Sequence, residues 1–525
     1  PGSSPGRGAK FKKAKFSNLA FSFLHNIPQY PEGRLKNGSP PLQPCLPFRF
    51  IMPPFSGRAD NVKIIILGSG QVGSTVAQNL AAMPNNDVTI IDTDENALRN
   101  IGTRLDVQTI VGNGASPSIL QSAGADDCDM LLALTRHDET NLAACRIAAD
   151  LFNIPNRIAR VRLSDYLEFG NEEERLVLEA FAVTDSIHPE QLVTERMASL
   201  LSYTSALQVL RFADDKARMA VVQAHNGGLL VNQPISLVGK HLPDGVDCQI
   251  CAIYRNNRLI VPTAETVIIE GDEVFFLADS RHVKTVMREL RPLEQRTRRV
   301  MIAGGGNIGY RLAKQVENLY DIKIIEHNPN RAEWLAENLD SSLVLQGSAT
   351  DENLLSHEYI DEIDVFLALT NDDENNIMAS LLAKDLGAKR VITIINRSRY
   401  VDLLEGNQID IVVSPHMMTI GNILTHIRLG DVAAVHPLRR GHAEAVEVIV
   451  HGTPETSALV GRRVSEVKWP SGCHFAALVR GEEVTMGHKG DEKLQDGDHL
   501  IFFVSRRRVV RELEKLIQVK VGFFG

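Results

Sequence analysis

The chain of 525 residues repeats itself, and this repeat restricts the possible folds more than any single motif does. Residues 63–73 (KIIILGSGQVG) return as residues 299–309 (RVMIAGGGNIG), and residues 132–141 (LALTRHDETN) return as residues 367–376 (LALTNDDENN). The copies lie 235 to 236 residues apart. The segments that lie between these motifs also resemble each other over shorter stretches. The chain is therefore predicted to contain two consecutive copies of one two-part plan.

The repeat and the chain length predict four domains after a leader, in keeping with about 150 residues per domain. We assign residues 61–202 and 297–430 to two copies of a larger unit. Residues 203–296 and 431–525 are assigned to two copies of a smaller unit.

Residues 1–60 differ in composition from the rest of the chain. They hold ten of the 23 prolines and nine Lys or Arg against two acidic residues, and they lack hydrophobic periodicity. This composition predicts a disordered leader. The alternative is that translation begins at Met52 behind an unrelated stretch. A secretory signal is only faintly suggested, because polar residues interrupt the apolar stretch and no small-residue cleavage site follows.

Composition excludes several classes of protein. A formal net charge of −9 gives no support to a nucleic-acid-binding protein. No apolar run approaches the roughly 20 residues that a membrane helix needs. Six cysteines in a chain of this length do not make a disulfide framework, so a reducing cytoplasm is expected.

Apolar strands and helices alternate in the larger unit. A buried strand is predicted at 62–67, a helix at 72–83 and a second strand at 88–91. This alternation indicates an α/β fold with a Rossmann-like, doubly wound parallel sheet in each larger unit. The smaller unit has short strands, such as 219–224 and 250–255, and a closing helix, which predicts a small α+β module.

A glycine-rich loop follows the first predicted strand and opens the next helix. Gly68 allows a tight turn, Gly70 lets the backbone approach a pyrophosphate, and Gly73 lets the helix pack on the strand. The N–H groups at the start of the helix favour a phosphate. The loop thus predicts a dinucleotide site, with Gly304, Gly306 and Gly309 forming the second copy.

An acidic residue ends the second predicted strand of each copy. Asp92 lies 24 residues after Gly68, and Glu326 lies 22 residues after Gly304. A carboxylate there accepts hydrogen bonds from ribose hydroxyls and repels a 2′-phosphate, which favours NAD(H) over NADP(H). ATP or ADP would compete, because the loop and the acid contact only the shared adenosine-phosphate part. A fold retained after loss of its ligand is the alternative.

Further candidates follow the other strands, because open sheets bind ligands at their carboxyl ends. Arg136 or Arg160 could hold the pyrophosphate bidentately, with a strand-end salt bridge as the alternative for Arg160. We align Arg160 with Thr393, which carries no cation, and therefore predict that the two sites are unequal.

No catalytic group is recognisable. His137, His188 and His416 are scattered, and the paired acids at the start of a predicted helix, such as Asp138, fit helix capping and dipole compensation. Cys248 and Cys251 would point to opposite faces of a strand, against a redox or zinc role. The pattern favours a nucleotide sensor. An NAD-dependent oxidoreductase, which would need a proton-relay residue, remains the alternative.

Residues 64–73 (IIILGSGQVG), 156–160 (NRIAR) and 370–374 (TNDDE) together resemble the TrkA family, regulatory subunits of Trk potassium-uptake systems. The repeated unit of that family is called RCK, and the resemblance covers residues 62–520. It implies a non-enzymatic, NAD-binding protein that gates an integral membrane potassium-translocating subunit. It also implies a homo-oligomeric ring, expected to be a tetramer, held peripherally at the cytoplasmic face of the inner membrane.

The glycine loops, acids and strand ends supply the candidate cofactor-binding residues, several of them carried over from the family. In the first copy they are Gly68, Ser69, Gly70, Gln71, Val72, Gly73, Asp92, Asn113, Thr135, Arg136 and Arg160. In the second copy they are Gly304, Gly305, Gly306, Asn307, Ile308, Gly309, Glu326, Thr370 and Asn371. No catalytic or metal-binding residue is predicted. Apolar helical stretches at 192–201 and 420–427 are expected to pair each larger unit with a neighbouring unit.

Overall fold

The computed structural model describes residues 62–82, 86–162, 171–256, 258–292, 297–404, 409–427, 432–438 and 443–517. The predicted leader lies outside the described residues.

The first larger unit is built on a six-stranded parallel sheet in the order β3-β2-β1-β4-β5-β6. The strands are β1 (Val62–Leu67), β2 (Asn86–Asp92), β3 (Gln108–Val111), β4 (Met130–Ala133), β5 (Asn156–Arg160) and β6 (Asp185–Ile187). The helices between them are α1 (Gln71–Ala81), α2 (Glu95–Gly102), α3 (Pro117–Ser122), α4 (Asp138–Phe152) and α5 (Asn171–Ala180). Alternate residues of β1 enter two different hydrophobic cores, Ile64 and Ile66 on one face and Ile65 and Leu67 on the other. This is the doubly wound sheet predicted from the sequence.

Helix α6 (Pro189–Ser202) leads into the first smaller unit, an antiparallel sheet in the order β10-β9-β11-β8-β7. Its elements are β7 (Ala206–Phe212), β8 (Ala217–Gln223), α7 (Val238–His241), β9 (Cys248–Arg255), β10 (Arg258–Ile260), β11 (Glu273–Asp279) and α8 (Val283–Leu290). Helix α8 covers one face of this sheet through Val283, Val286 and Leu290.

The second half repeats both architectures. Its parallel sheet has the order β14-β13-β12-β15-β16-β17, and its antiparallel sheet has the order β18-β19-β22-β20-β21. The parallel unit comprises β12 (Arg299–Ala303), α9 (Asn307–Val316), β13 (Asp321–Glu326), α10 (Pro329–Asn338), β14 (Leu343–Gln346), α11 (Glu352–His357), β15 (Val365–Ala368), α12 (Asp373–Asp385), β16 (Arg390–Ile394), α13 (Ser398–Leu404), β17 (Ile411–Val413) and α14 (Pro415–Ile427). The antiparallel unit comprises β18 (Val432–Leu438), β19 (Ala443–Ile449), β20 (Cys473–Arg480), β21 (Glu483–Met486), β22 (His499–Val504) and α15 (Arg507–Ile517).

The two parallel units exchange their last helices. Met197 and Leu200 of α6 lie in the core of the second sheet, together with Leu312 of α9. Ile420 and Ile423 of α14 lie in the core of the first sheet. The two apolar helical stretches expected to pair neighbouring units therefore do so within one chain, each completing the other half.

The two antiparallel sheets also share a core. The rings of Phe275 of β11 and Phe503 of β22 pack edge to face with their centres 6.2 Å apart. Buried residues of both sheets surround them. Cys251 faces this shared core, whereas Cys248 faces the core under α8, so the two thiols lie on opposite faces of β9 as predicted. Burial raises the pKa of Cys251 to about 12.

Among the residues that the structure describes, no group of three or more His, Cys, Asp or Glu side chains has the arrangement of a metal site. Within the same ranges, every helix is too short or too polar to cross a membrane.

Candidate nucleotide-binding sites

The first glycine loop connects β1 to α1, and its three glycines do different work. Gly68 has φ +101°, and its N–H donates to Ile91 O at 2.8 Å, which ties the turn to β2. A Cβ on Gly73 would lie 1.9 Å from Gly68 O, so helix and turn can pack only without a side chain there. A Cβ on Gly70 would meet no described atom within 4 Å. Gly70 therefore faces open space where a ligand can approach.

Asp92 at the end of β2 is bound to the glycine loop. Its Oδ2 accepts hydrogen bonds from the Ser69 N–H at 2.5 Å and the Ser69 hydroxyl at 2.7 Å, and its Oδ1 accepts from the Asp94 N–H at 2.9 Å. Burial raises the pKa of Asp92, but these donors outweigh burial and hold the pKa below its usual value. The carboxylate is thus ionised at neutral pH and can accept further hydrogen bonds from ribose hydroxyls.

The second glycine loop, between β12 and α9, has the same geometry. Gly304 has φ +105°, a Cβ on Gly309 would lie 2.0 Å from Gly304 O, and Gly306 again faces space free of described atoms within 4 Å. Glu326 at the end of β13 accepts from the Gly305 N–H at 2.8 Å and from the Asn328 N–H at 2.9 Å. Each half therefore carries a loop and an acid in matching positions.

The two loops differ at the residue that follows the first glycine. Ser69 fits in the first half, where its hydroxyl contacts Asp92. In the second half a Cβ on Gly305 would lie 2.1 Å from Leu335 Cδ1 of α10, so no side chain fits. Leu335 is packed in the core of the second sheet and cannot easily move away.

A buried asparagine holds the strand ends of each site. Asn141 Oδ1 accepts from the N–H and the hydroxyl of Thr135, and Asn141 Nδ2 donates to Arg160 O at 2.9 Å. Asn376 makes the same contacts with Thr370 and donates to Ile394 O at 3.1 Å. Neither asparagine was predicted as a site residue, although both occur at equal positions in the two copies of the repeat.

These contacts correct the predicted counterpart of Arg160. Asn141 binds Arg160 O, and Asn376 binds Ile394 O, so Ile394 and not Thr393 is equivalent to Arg160. Thr393 corresponds to Ala159, because each pairs with the last alanine of the neighbouring strand. The offset between the copies falls from 235 at Asn141 and Asn376 to 234 at Arg160 and Ile394, because the second copy is one residue shorter before β16; the predicted pairing with Thr393 implied a deletion of two residues. The second site thus has an apolar residue where the first has a cation.

Arg160 lies half-buried at the end of β5. Its Nε is shielded from solvent and has no hydrogen-bond partner within the described part of the chain. Burial and the nearby Arg162 lower the pKa of its guanidinium, while Glu190 and Asp138 raise it, with a net lowering. A buried donor without an acceptor is unfavourable, which suits a site that receives an anion.

The other predicted strand-end residues lie at the surface. Arg136 and Asn371 are exposed beside their sites, and exposed Asn113 accepts the Ala115 N–H at 3.0 Å in a local turn. The capping prediction holds for Asp372, which accepts from the Asn375 N–H at 2.7 Å. Asp138 is not the cap of its helix: it accepts from the Arg162 N–H at 2.7 Å and anchors the segment after β5. It stands in the first turn of α4, however, where its charge complements the helix dipole as predicted.

Arg331 distinguishes the second site further. Its Nε donates to Gly305 O at 2.8 Å, and its guanidinium lies 4.1 Å from the centre of the Trp334 ring. The centres of the Trp334 and Tyr310 rings lie 4.8 Å apart. Arg331 therefore contacts the second glycine loop and lies against two aromatic rings, whereas Ala97 occupies its position in the first half.

Together, the sheets, loops and acids define two nucleotide-binding Rossmann-type domains, each followed by a smaller antiparallel domain. The TrkA-N domain model matches residues 64–177 and 300–415, and the TrkA-C domain model matches residues 219–291 and 453–518. The chain is 48% identical over 463 residues to the Trk system potassium uptake protein TrkA of Halomonas elongata, covering 88% of this chain and 100% of that protein. It is 47% identical to the protein of the same name from Vibrio alginolyticus, over 87% of this chain and 99% of the relative.

The chain therefore belongs to the TrkA family and is a potassium-uptake regulatory subunit with RCK domains, not an enzyme. This sets aside the oxidoreductase alternative. Among solved structures, the GsuK channel has a TM-score of 0.57 at 18% identity, covering 88% of this chain and 80% of that one. The GsuK RCK domain has a TM-score of 0.55 at 17% identity, over 88% and 96%. At these identities the likeness shows the fold.

Proposed function

We propose that this chain senses NAD(H) at its first site and, in response, gates a membrane potassium-translocating subunit. The single observation that carries the ligand assignment is the ionised Asp92, hydrogen-bonded to the loop beside an open Gly70. A carboxylate at this place suits an unphosphorylated adenosine ribose.

The residues of the first site fit the parts of a dinucleotide. The N–H groups at the start of α1 and the open Gly70 suit a pyrophosphate, Asp92 suits the ribose hydroxyls, and Arg160 supplies a cation. ATP or ADP competes for the site, because these groups contact only the adenosine and phosphates. A solved GsuK channel structure of similar fold is described as bound to NAD, which supports the choice of ligand.

We propose that several chains form a ring, with a tetramer as the expected state, at the cytoplasmic face of the inner membrane. The names of the relatives as potassium uptake proteins and the likeness to a channel support a membrane partner. On this view nucleotide binding alters the angle between the two halves of each chain, and the pore subunit responds to that change.

Calorimetry with the full chain tests the ligand assignment. Asp92→Ala removes the ribose acceptor and is expected to weaken NADH binding at the first site by about 1–3 kcal/mol. Asp94→Ala is the matched control, because Asp94 caps α2 through its own side chain and lies two residues away. Unchanged NADH affinity in Asp92→Ala would contradict the assignment.

A further inference from the structure

Helix α14 places a histidine of the second half at the first nucleotide site. Met417, Ile420 and Ile423 of this helix pack into the core of the first sheet, and the helix contacts β6, the neighbour of β5. His416 stands in the first turn of α14, and the charge of Arg160 at the end of β5 disfavours the protonated form of its imidazole. The exchanged helix thus brings one residue of each half together.

Arg160 and His416 share an unusual feature. Arg160 Nε and His416 Nδ1 are both shielded from solvent, and neither has a hydrogen-bond partner among the described residues. Buried nitrogen atoms without partners are rare in proteins, and each is unfavourable. Arg160 Nε lacks an acceptor, and an anion bound to it could also accept from His416 Nδ1 once the imidazole takes up a proton.

We propose that His416 is a binding residue of the first nucleotide site and contacts a phosphate of the ligand together with Arg160. This inference rests on the proposed function of that site. It adds a contact from the second half, so that the bound nucleotide connects the two halves of the chain directly. The residue of α6 that corresponds to His416 is Glu190, whose Oε1 accepts a hydrogen bond from Arg162 Nε of its own half at 2.8 Å. The second site therefore lacks a contact of this kind from the first half.

The charges around His416 predict that binding is coupled to a proton. Burial and Arg160 lower the pKa of His416, while Asp373 and a hydrogen bond to the main chain of Asn396 raise it, with a net lowering. Beyond Arg160 lie Arg162, Glu190 and Asp138. His416 is therefore neutral at pH 7.5 in the free protein. A phosphate beside it favours the imidazolium, so binding takes up a proton.

The test uses the full chain carrying Gly306→Trp, which blocks the second loop at a position open to a side chain. In this background, His416→Ala is expected to weaken ADP binding about tenfold or more, the loss for one charge-assisted contact. Binding of adenosine, which has no phosphate, is expected to stay unchanged. His451→Gln, in the smaller unit of the second half, controls for loss of a remote histidine.

A second variant and a second readout separate contact from folding. His416→Asn keeps a donor near the position of Nδ1, and we expect it to keep most of the ADP affinity while abolishing proton uptake. Proton uptake is measured by calorimetry at pH 7.5 in two buffers of different ionisation enthalpy. Equal ADP affinity and equal proton uptake in wild type and His416→Ala would overturn the inference. If Asp92→Ala weakens binding in the same series, the proposed function survives that failure.

Discussion

At the scale of single residues, the second and third glycines of each loop have different reasons to lack a side chain. Gly73 and Gly309 are required by packing, because any Cβ would collide with the carbonyl oxygen of the first loop glycine. Gly70 and Gly306 border open space, so their lack of a side chain serves access and not folding. This difference follows from the geometry of the loop, and replacing one glycine at a time by alanine tests it.

We predict that Gly73→Ala destabilises the chain, whereas Gly70→Ala does not. The collision at 1.9 Å forces α1 away from β1, and overpacking of this kind costs about 1–3 kcal/mol. Gly70→Ala should keep the wild-type unfolding midpoint and lose affinity for NADH. Urea unfolding and calorimetry measure the two effects. Equal midpoints for the two variants would show that Gly73 is not under steric pressure.

Some site residues follow from the sequence and others do not. Gly68, Gly73 and Asp92 belong to a local pattern of turn, helix start and strand end, and such a pattern is visible without a structure. Asn141 acts across two strands through side-chain hydrogen bonds, so nothing adjacent in the sequence marks it. The counterpart of Arg160 was placed one residue too early, because the motifs on either side of a loop do not fix how many residues that loop has lost.

At the scale of helices and strands, the exchange of α6 and α14 is the main departure from two independent halves. The sequence indicates that both helices are apolar, but not which sheet each one covers, because an apolar face fits any complementary face. Reciprocal packing of α6 on the second sheet and α14 on the first explains why neither parallel unit is complete without the other.

This exchange predicts that a residue of the second half stabilises the first. Ile423 is fully buried in the core of the first sheet, and Ile423→Ala should cost about 2–5 kcal/mol. Leu200→Ala in α6 is the reciprocal variant, with a similar expected loss in the second half. Met378→Ala, on the exposed face of α12, is the control. Thermal melting measures the loss, and a wild-type melting temperature for Ile423→Ala would refute the exchange.

Differences in individual elements also predict unequal sites. The second site has Ile394 in place of Arg160 and should bind the pyrophosphate of NADH more weakly by about 1.5–3 kcal/mol. The full chain must be used, because the first half alone lacks α14. Gly306→Trp leaves the first site and Gly70→Trp leaves the second. Calorimetry compares them, and tighter NADH binding in Gly70→Trp would sink the prediction.

At the scale of the whole molecule, the two halves are joined at two levels. The parallel units exchange helices, and the antiparallel sheets share a core around Phe275 and Phe503. The candidate nucleotide sites lie on the parallel units, near the exchanged helices. A ligand that contacts both parallel units therefore favours one arrangement of the halves over another, to the extent of its differential affinity for the two.

The last prediction concerns potassium flux. A tenfold difference in nucleotide affinity between two arrangements of the halves favours one of them by about 1.4 kcal/mol per site. The contributions of several sites in a ring add together. Gly70→Trp should block the first loop without disturbing the packing of the fold, since a Cβ at Gly70 meets no described atom within 4 Å.

In vesicles holding the membrane subunit and this chain, wild type should change potassium flux when NADH, NAD or ATP is added. Gly70→Trp should assemble normally, as measured by light scattering. Its first site should no longer change potassium flux when a nucleotide is added. Gly306→Trp, blocked only at the second loop, should keep most of the response. If wild type and Gly70→Trp respond identically to all three nucleotides, the first site does not gate transport.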